Sequence, residues 1–179
     1  LSRLLRDRLN AAVLVFDYRG YGKSEGVPTE AGVVADSLAA QRWLAERTGR
    51  STEEILVIGR SLGGGAATAI AAEQGAAALI LQSTFTRLPD AAASHYPWLP
   101  VRWVMQNRYD SLARVAAYTG PVFVSHGTED RVVPFEQGQR LYKAATGPKR
   151  FLSFEGLGHN TPQPPSYYDD LKRFLAENR

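Results

Sequence analysis

Five short segments of the chain are dense in apolar residues: 12–16, 55–58, 78–81, 121–125 and 150–154. Runs this short and this apolar read as strands buried on both faces. Between them the apolar positions recur at helical spacing. Residues 1–9 carry leucines at positions 1, 4, 5 and 9 and read as the end of a helix. Residues 29–47 offer Val33, Leu38 and Leu44 as an apolar face, with Thr29 as a candidate N-cap. Helices are also expected over 62–73, which is rich in small residues, and over 135–145 and 166–177. Strands therefore alternate with helices, the pattern of an α/β domain whose mostly parallel sheet is flanked by helices. Residues 84–119 break the rhythm. They hold Pro89, Pro97 and Pro100 among His95, Tyr96, Trp98, Trp103 and Tyr109, with no clean period. Short helices forming a small cap or lid are expected there, inserted in a single domain that spans 1–179.

Composition narrows the function classes. A chain of 179 residues with 44% hydrophobic and 22% charged residues can bury one sizeable core. The formal net charge is only +3, and the arginines (17 of 21 basic residues) are scattered. No basic stripe is interleaved with aromatics, which argues against a nucleic-acid partner. The chain has no cysteine, which excludes disulfides, thiolate catalysis and Cys-ligated metal. That composition fits a reducing compartment, and a bacterial cytoplasmic location is expected. No run approaches 18 apolar residues and no signal-peptide pattern is visible, so no membrane span is expected.

The segment Gly59-Arg60-Ser61-Leu62-Gly63 lies between the run at 55–58 and the small-residue stretch that follows it. G-x-S-x-G in a strand–turn–helix context carries a mechanism. The sharp reversal strains the serine backbone, and flanking glycines leave room for it. The hydroxyl is lifted out of the sheet, and the helix N-terminal amides face any negative charge that develops beside it.

A serine hydroxyl needs a base to take its proton, and three histidines are available. His95 falls in the irregular segment. His126 ends a strand, where histidine ordinarily packs or makes one backbone hydrogen bond. His159 sits in Gly156-Leu157-Gly158-His159-Asn160, a loop able to carry an imidazole over the strand ends, and is the favoured base. The base in turn needs an acid to fix its tautomer. Glu129 and Asp130, in Gly127-Thr128-Glu129-Asp130-Arg131, are both candidates, and acids ahead of a helix also serve as dipole caps. The order Ser, acid, His is that of an α/β-hydrolase. The residues do not form a metal-ligand spacing, so neither a metal nor an organic cofactor is implied.

The chain resembles the α/β-hydrolase superfamily, in particular bacterial esterases related to eukaryotic hydrolases that remove fatty acyl groups from proteins. The resemblance rests on Phe16-Asp17-Tyr18-Arg19-Gly20-Tyr21-Gly22-Lys23-Ser24, Gly59-Arg60-Ser61-Leu62-Gly63-Gly64, His126-Gly127-Thr128-Glu129-Asp130-Arg131-Val132-Val133-Pro134 and Gly158-His159-Asn160, distributed over essentially the whole chain. It implies Ser61 as nucleophile, Asp130 as acid, His159 as base and the Leu62 amide as one oxyanion donor, with Asp17 and Asp36 structural. It implies a serine esterase acting on short- to medium-chain acyl or aryl esters, with thioesterase and peptidase as uses of the same triad. Tyr96, Trp98 and Trp103 are candidate substrate-binding residues of the cap, or simply core.

The resemblance also implies a truncated fold. The superfamily's first three strands and its His-Gly oxyanion loop would fall before Leu1, and the third strand would lie between 12–16 and 55–58. Losing one oxyanion donor costs on the order of 3 kcal/mol of transition-state stabilisation. With that strand missing, 12–16 either moves over to pair with 55–58 or is covered by another chain, so rearrangement, a homo-oligomer, or both are expected. The competing reading is a weakly active or inactive scaffold that self-associates.

Overall fold

The computed structural model describes residues 2–96 and 98–178; Leu1, within the expected first helix, and Pro97 lie outside them. In chain order the elements are α1 (Ser2–Leu9), α2 (Glu30–Thr48), β1 (Leu56–Arg60), α3 (Leu62–Gln74), β2 (Ala78–Gln82), α4 (Leu88–His95), α5 (Val101–Val104), α6 (Ser111–Ala117), β3 (Val122–Gly127), α7 (Phe135–Ala144), β4 (Lys149–Phe154) and α8 (Pro165–Glu177). The four strands form one parallel sheet in the order β1-β2-β3-β4, flanked by helices.

Strand alternation divides the core into two layers. Leu79, Leu81, Val122 and Val124 point to one face, where they meet Ala67 and Ile70 of α3, Val115 of α6 and Leu141 of α7. Their neighbours Ala78, Ile80 and Phe123 point to the other face, against Leu5 of α1 and Tyr167, Leu171 and Phe174 of α8. Both faces of the central strands are dry, which is why the sequence shows continuous apolar runs. Local signals set the helix ends. The Thr29 side chain accepts a hydrogen bond from the Gly32 amide at the start of α2, and Gly49 closes that helix in the left-handed conformation (φ 65°).

Two expectations need correction. Residues 12–16 do not form a strand and do not move over to β1; the segment has no regular secondary structure and no strand partner. It stands off from β1 across an apolar groove lined by Leu14, Phe16, Leu44, Leu56 and Ile58. Val15 remains 71% exposed. A strand is made by its partner's hydrogen-bond ladder, and no neighbour within reach provides one.

The second correction concerns the irregular segment 84–119. It does carry three short helices, but α6 belongs to the core, since Val115 and Tyr118 are buried against the sheet. The stretch around α4 and α5 exposes Tyr96, Trp98 and Trp103, although Ala91 of α4 is buried in a cluster with Val33 and Phe85. It is anchored by Glu30 at the start of α2, whose carboxylate accepts from the Arg108 amide (2.7 Å), the Tyr109 amide (2.9 Å) and the Arg114 guanidinium (3.1 Å). Spacing along the chain could not reveal this link, because the partners are 78 to 84 residues apart.

Candidate active site

Three loops leave the carboxyl ends of β1, β3 and β4 and converge, the place where parallel α/β sheets present ligand sites. The first is the turn from β1 into α3. Ser61 sits there at φ 51°, ψ −122°, a left-handed backbone that a non-glycine residue adopts at a cost of about 1–3 kcal/mol. Several contacts hold it in place. The Ser61 amide donates to the Gln82 carbonyl (3.0 Å), and the Thr84 hydroxyl donates to the Ser61 carbonyl (2.7 Å). Gly59 is required by close approach, since a Cβ there would collide with the Gly63 carbonyl and Ala67. Gly64 is needed for a similar reason, against Thr84. Leu62 begins α3, so its amide is among the first-turn N–H groups that a helix leaves free for an anion.

The second loop follows β3. Asp130 has a buried side chain, and its Oδ1 accepts from the Val132 amide (2.9 Å) and the Val133 amide (2.8 Å). Glu129 is exposed, which separates the two acids that the sequence left open. The third loop follows β4 and brings His159 over the strand ends. His159 Nδ1 lies 2.7 Å from Asp130 Oδ2, and its Nε2 lies 3.1 Å from Ser61 Oγ. With Nδ1 facing a carboxylate, the proton resides on Nδ1 and Nε2 is left to accept from the serine hydroxyl. Serine, imidazole and carboxylate thus form one hydrogen-bonded chain, the geometry that activates a hydroxyl nucleophile.

Two further residues touch this chain. Arg60, exposed at the end of β1, donates through its guanidinium to the His159 carbonyl and to Asn160 Oδ1 (3.3 Å). It ties the serine turn to the histidine loop. His126 reaches Asp130 from within the core. It packs and makes one backbone hydrogen bond, to the Val133 carbonyl, as expected of a strand-end histidine, and the same nitrogen lies 3.2 Å from Asp130 Oδ2.

The other predicted residues fall outside the hydrogen-bonded chain. His95 ends α4 with Nε2 2.8 Å from the Val132 carbonyl. Tyr96, Trp98 and Trp103 are not core: they are 50%, 72% and 88% exposed, with Tyr96 and Trp98 in edge contact at 5.9 Å. Asp17 and Asp36 are structural. Asp36 receives the Arg19 guanidinium (2.6 Å), and Asp17 accepts from the Lys23 amide (3.3 Å). Among the described residues no cluster of three or more His, Asp or Glu has the arrangement of a metal site.

The family model for serine aminopeptidase S33 matches residues 7–113, more than half of the chain. The chain belongs to the α/β-hydrolase superfamily. Among the relatives of this α/β-hydrolase, the Mycobacterium tuberculosis protein Rv2307c is 42% identical over 172 residues, covering 94% of this chain and 61% of that protein. Human alpha/beta hydrolase domain-containing protein 17B is 33% identical, covering 97% of this chain and 59% of that protein. The chain therefore spans about three fifths of the length of the curated relatives it matches. In fold it is similar to Est1E from Butyrivibrio proteoclasticus, solved with ferulic acid (TM-score 0.72, 20% identity, 90% of this chain and 75% of that one). It is also similar to an α/β serine hydrolase homologue from Coxiella burnetii (TM-score 0.66, 24% identity, 98% and 74%).

Proposed function

We propose that the chain carries the catalytic machinery of a serine hydrolase that cleaves carboxylic esters through an acyl-enzyme. The observation that carries this reading is the continuous hydrogen-bonded path from Ser61 Oγ through His159 to Asp130. Ser61 Oγ attacks the ester carbonyl as His159 Nε2 takes its proton. Asp130 stabilises the imidazolium that results, and the Leu62 amide donates to the oxyanion. The imidazolium then protonates the departing alcohol. Water, activated by the same imidazole, attacks the acyl-enzyme and releases the acid.

Short- to medium-chain acyl or aryl esters are the proposed substrates. The exposed apolar surface at Tyr96, Trp98 and Trp103 supports a preference for an apolar group, because α4 reaches the acid loop through His95 and Val132. No helix among the described residues is long and apolar enough to cross a membrane. Turnover of a panel of p-nitrophenyl esters, thioesters and peptide anilides tests the reading, with Ser61→Ala as control. Ester turnover that disappears in Ser61→Ala supports it. Turnover confined to thioesters or anilides reassigns the substrate class, and no turnover above the control overturns it.

A second reading has its own observation. The unpaired segment 12–16 and the apolar groove beside it favour a scaffold that self-associates to cover them. A large assembly without Ser61-dependent turnover would favour that reading over the first.

A further inference from the structure

His126 lies at the end of β3 with a side chain fully shielded from solvent. Its Nε2 is 2.9 Å from the Val133 carbonyl and 3.2 Å from Asp130 Oδ2. The Val133 carbonyl can only accept, so Nε2 carries the proton and donates it there, with Asp130 Oδ2 next to the same N–H. The opposite nitrogen, Nδ1, is buried and has no hydrogen-bond partner. Gly138 of α7 presses against it so closely that a Cβ there would collide with the ring, and Phe135 packs edge-on at 5.9 Å. A proton on Nδ1 would be a buried charge without solvent, and burial pushes the His126 pKa down from its ordinary value. The ring is thus a neutral, single-direction donor.

This completes the environment of the carboxylate. Oδ1 takes two backbone amides and Oδ2 takes the imidazole N–H of His159, with the His126 Nε2–H lying beside it at 3.2 Å. The backbone amides fix one oxygen only. Rotation of the carboxylate about its own axis is resisted at Oδ2, and there the His126 N–H dipole, 3.2 Å away, is supplied by the rigid end of a strand. His159 cannot do this alone, because it rides on a loop and depends on Asp130 for its own orientation. A carboxylate whose second oxygen lacks a fixed neighbour is free to drift off the His159 axis, and misplacement of about 1 Å in a catalytic constellation costs about a hundredfold in rate.

We infer that His126 is a positioning residue for the acid, holding Asp130 Oδ2 on the His159 Nδ1–H axis. The inference rests on the Ser61–His159–Asp130 reading of the site. The two are separated by first labelling wild-type Ser61 to completion with a fluorophosphonate: absence of labelling there defeats the functional reading itself.

With wild type labelled, His126→Leu removes the donor, and His126→Gln keeps an N–H at similar reach. The expected result is full labelling of His126→Leu at a rate about a hundredfold lower. Its kcat per labelled site should fall in parallel with KM unchanged, and His126→Gln should recover most of the loss. The low-field proton resonance of the His159–Asp130 hydrogen bond should move upfield in His126→Leu and return in His126→Gln. A His126→Leu rate within threefold of wild type would overturn the inference, as would equal impairment of both variants. If His126→Leu does not fold, nitrogen-15 spectra of wild-type His126 decide. A bare Nδ1 with the proton on Nε2 at neutral pH is expected, and a proton on Nδ1 there contradicts the assignment.

Discussion

The strand-end corner at Ser61, Asp130 and His159 and the segment 12–16 beside β1 are made from equally strong sequence signals, yet they end in opposite states. At the corner, the two carboxylate oxygens of Asp130, both ring nitrogens of His159 and the backbone of Ser61 have hydrogen-bond partners. In 12–16 the apolar side chains are as suited to a strand as those of β2, yet the backbone is unpaired and Val13, Val15 and Phe16 are exposed. The difference is where the partners come from. The corner is assembled by three loops that leave strands already paired with one another. A strand at 12–16 depends on a ladder that must come from elsewhere. Composition selects what a segment prefers, and the presence of a partner decides whether the preference is met.

Several measurements break or sharpen this contrast. Ser61→Ala carries the largest expected effect, a loss of acyl transfer of about 10⁶-fold with no loss of stability, read from ester turnover and thermal melts. Asp130→Asn follows, at about 10⁴-fold in kcat, because the amide no longer fixes the His159 tautomer. Glu129→Gln, the exposed neighbour, should stay within about twofold of wild type, and an equal loss in both would undo the assignment of the acid. Gly59→Val forces a side chain against the Gly63 carbonyl and Ala67, and should destabilise by about 1–3 kcal/mol in denaturant titration.

A smaller effect is expected from pH. Burial holds the His126 pKa below its unfolded value of about 6.5, so the unfolded chain binds more protons as pH falls beneath that value. His126 therefore contributes no penalty above about pH 6.5 and lowers stability progressively as pH drops toward its folded value. Thermal melts should lose this part of the acid-side decline in His126→Gln. The smallest effect belongs to the other region. Val15→Lys should change stability by less than about 0.5 kcal/mol in the isolated chain, since Val15 is already in solvent. If a second copy seats on the groove, the same variant reduces the assembled mass in gel filtration.

Much of this was legible in the sequence. The strands at 78–81, 121–125 and 150–154 appear within one or two residues of their expected bounds because both faces are buried, leaving an uninterrupted apolar signature. Thr29 marks the start of α2 by capping chemistry, together with the apolar face of Val33, Leu38 and Leu44. Ser61 and His159 were offered as candidates because each lies in a glycine-bracketed segment between a strand and a helix, and the fold brings the two within 3.1 Å. Asp130 and Glu129 were not separable by spacing; the fold buries the first beside His159 and leaves the second exposed. The failures were non-local. The state of 12–16 depends on a neighbour, α6 joins the core through Val115, and Glu30 bonds across the fold to Arg108, Tyr109 and Arg114. His126 packs and makes one backbone hydrogen bond, to the Val133 carbonyl, as a strand-end histidine is expected to; only the fold shows that its Nε2 also lies near the Asp130 carboxylate.

The most direct test of the central claim is fluorophosphonate labelling of the folded protein, followed by peptide mapping. The account predicts one adduct per chain on Ser61, abolished in Ser61→Ala and in denatured protein. Absence of labelling, or an adduct on any other serine, would contradict it.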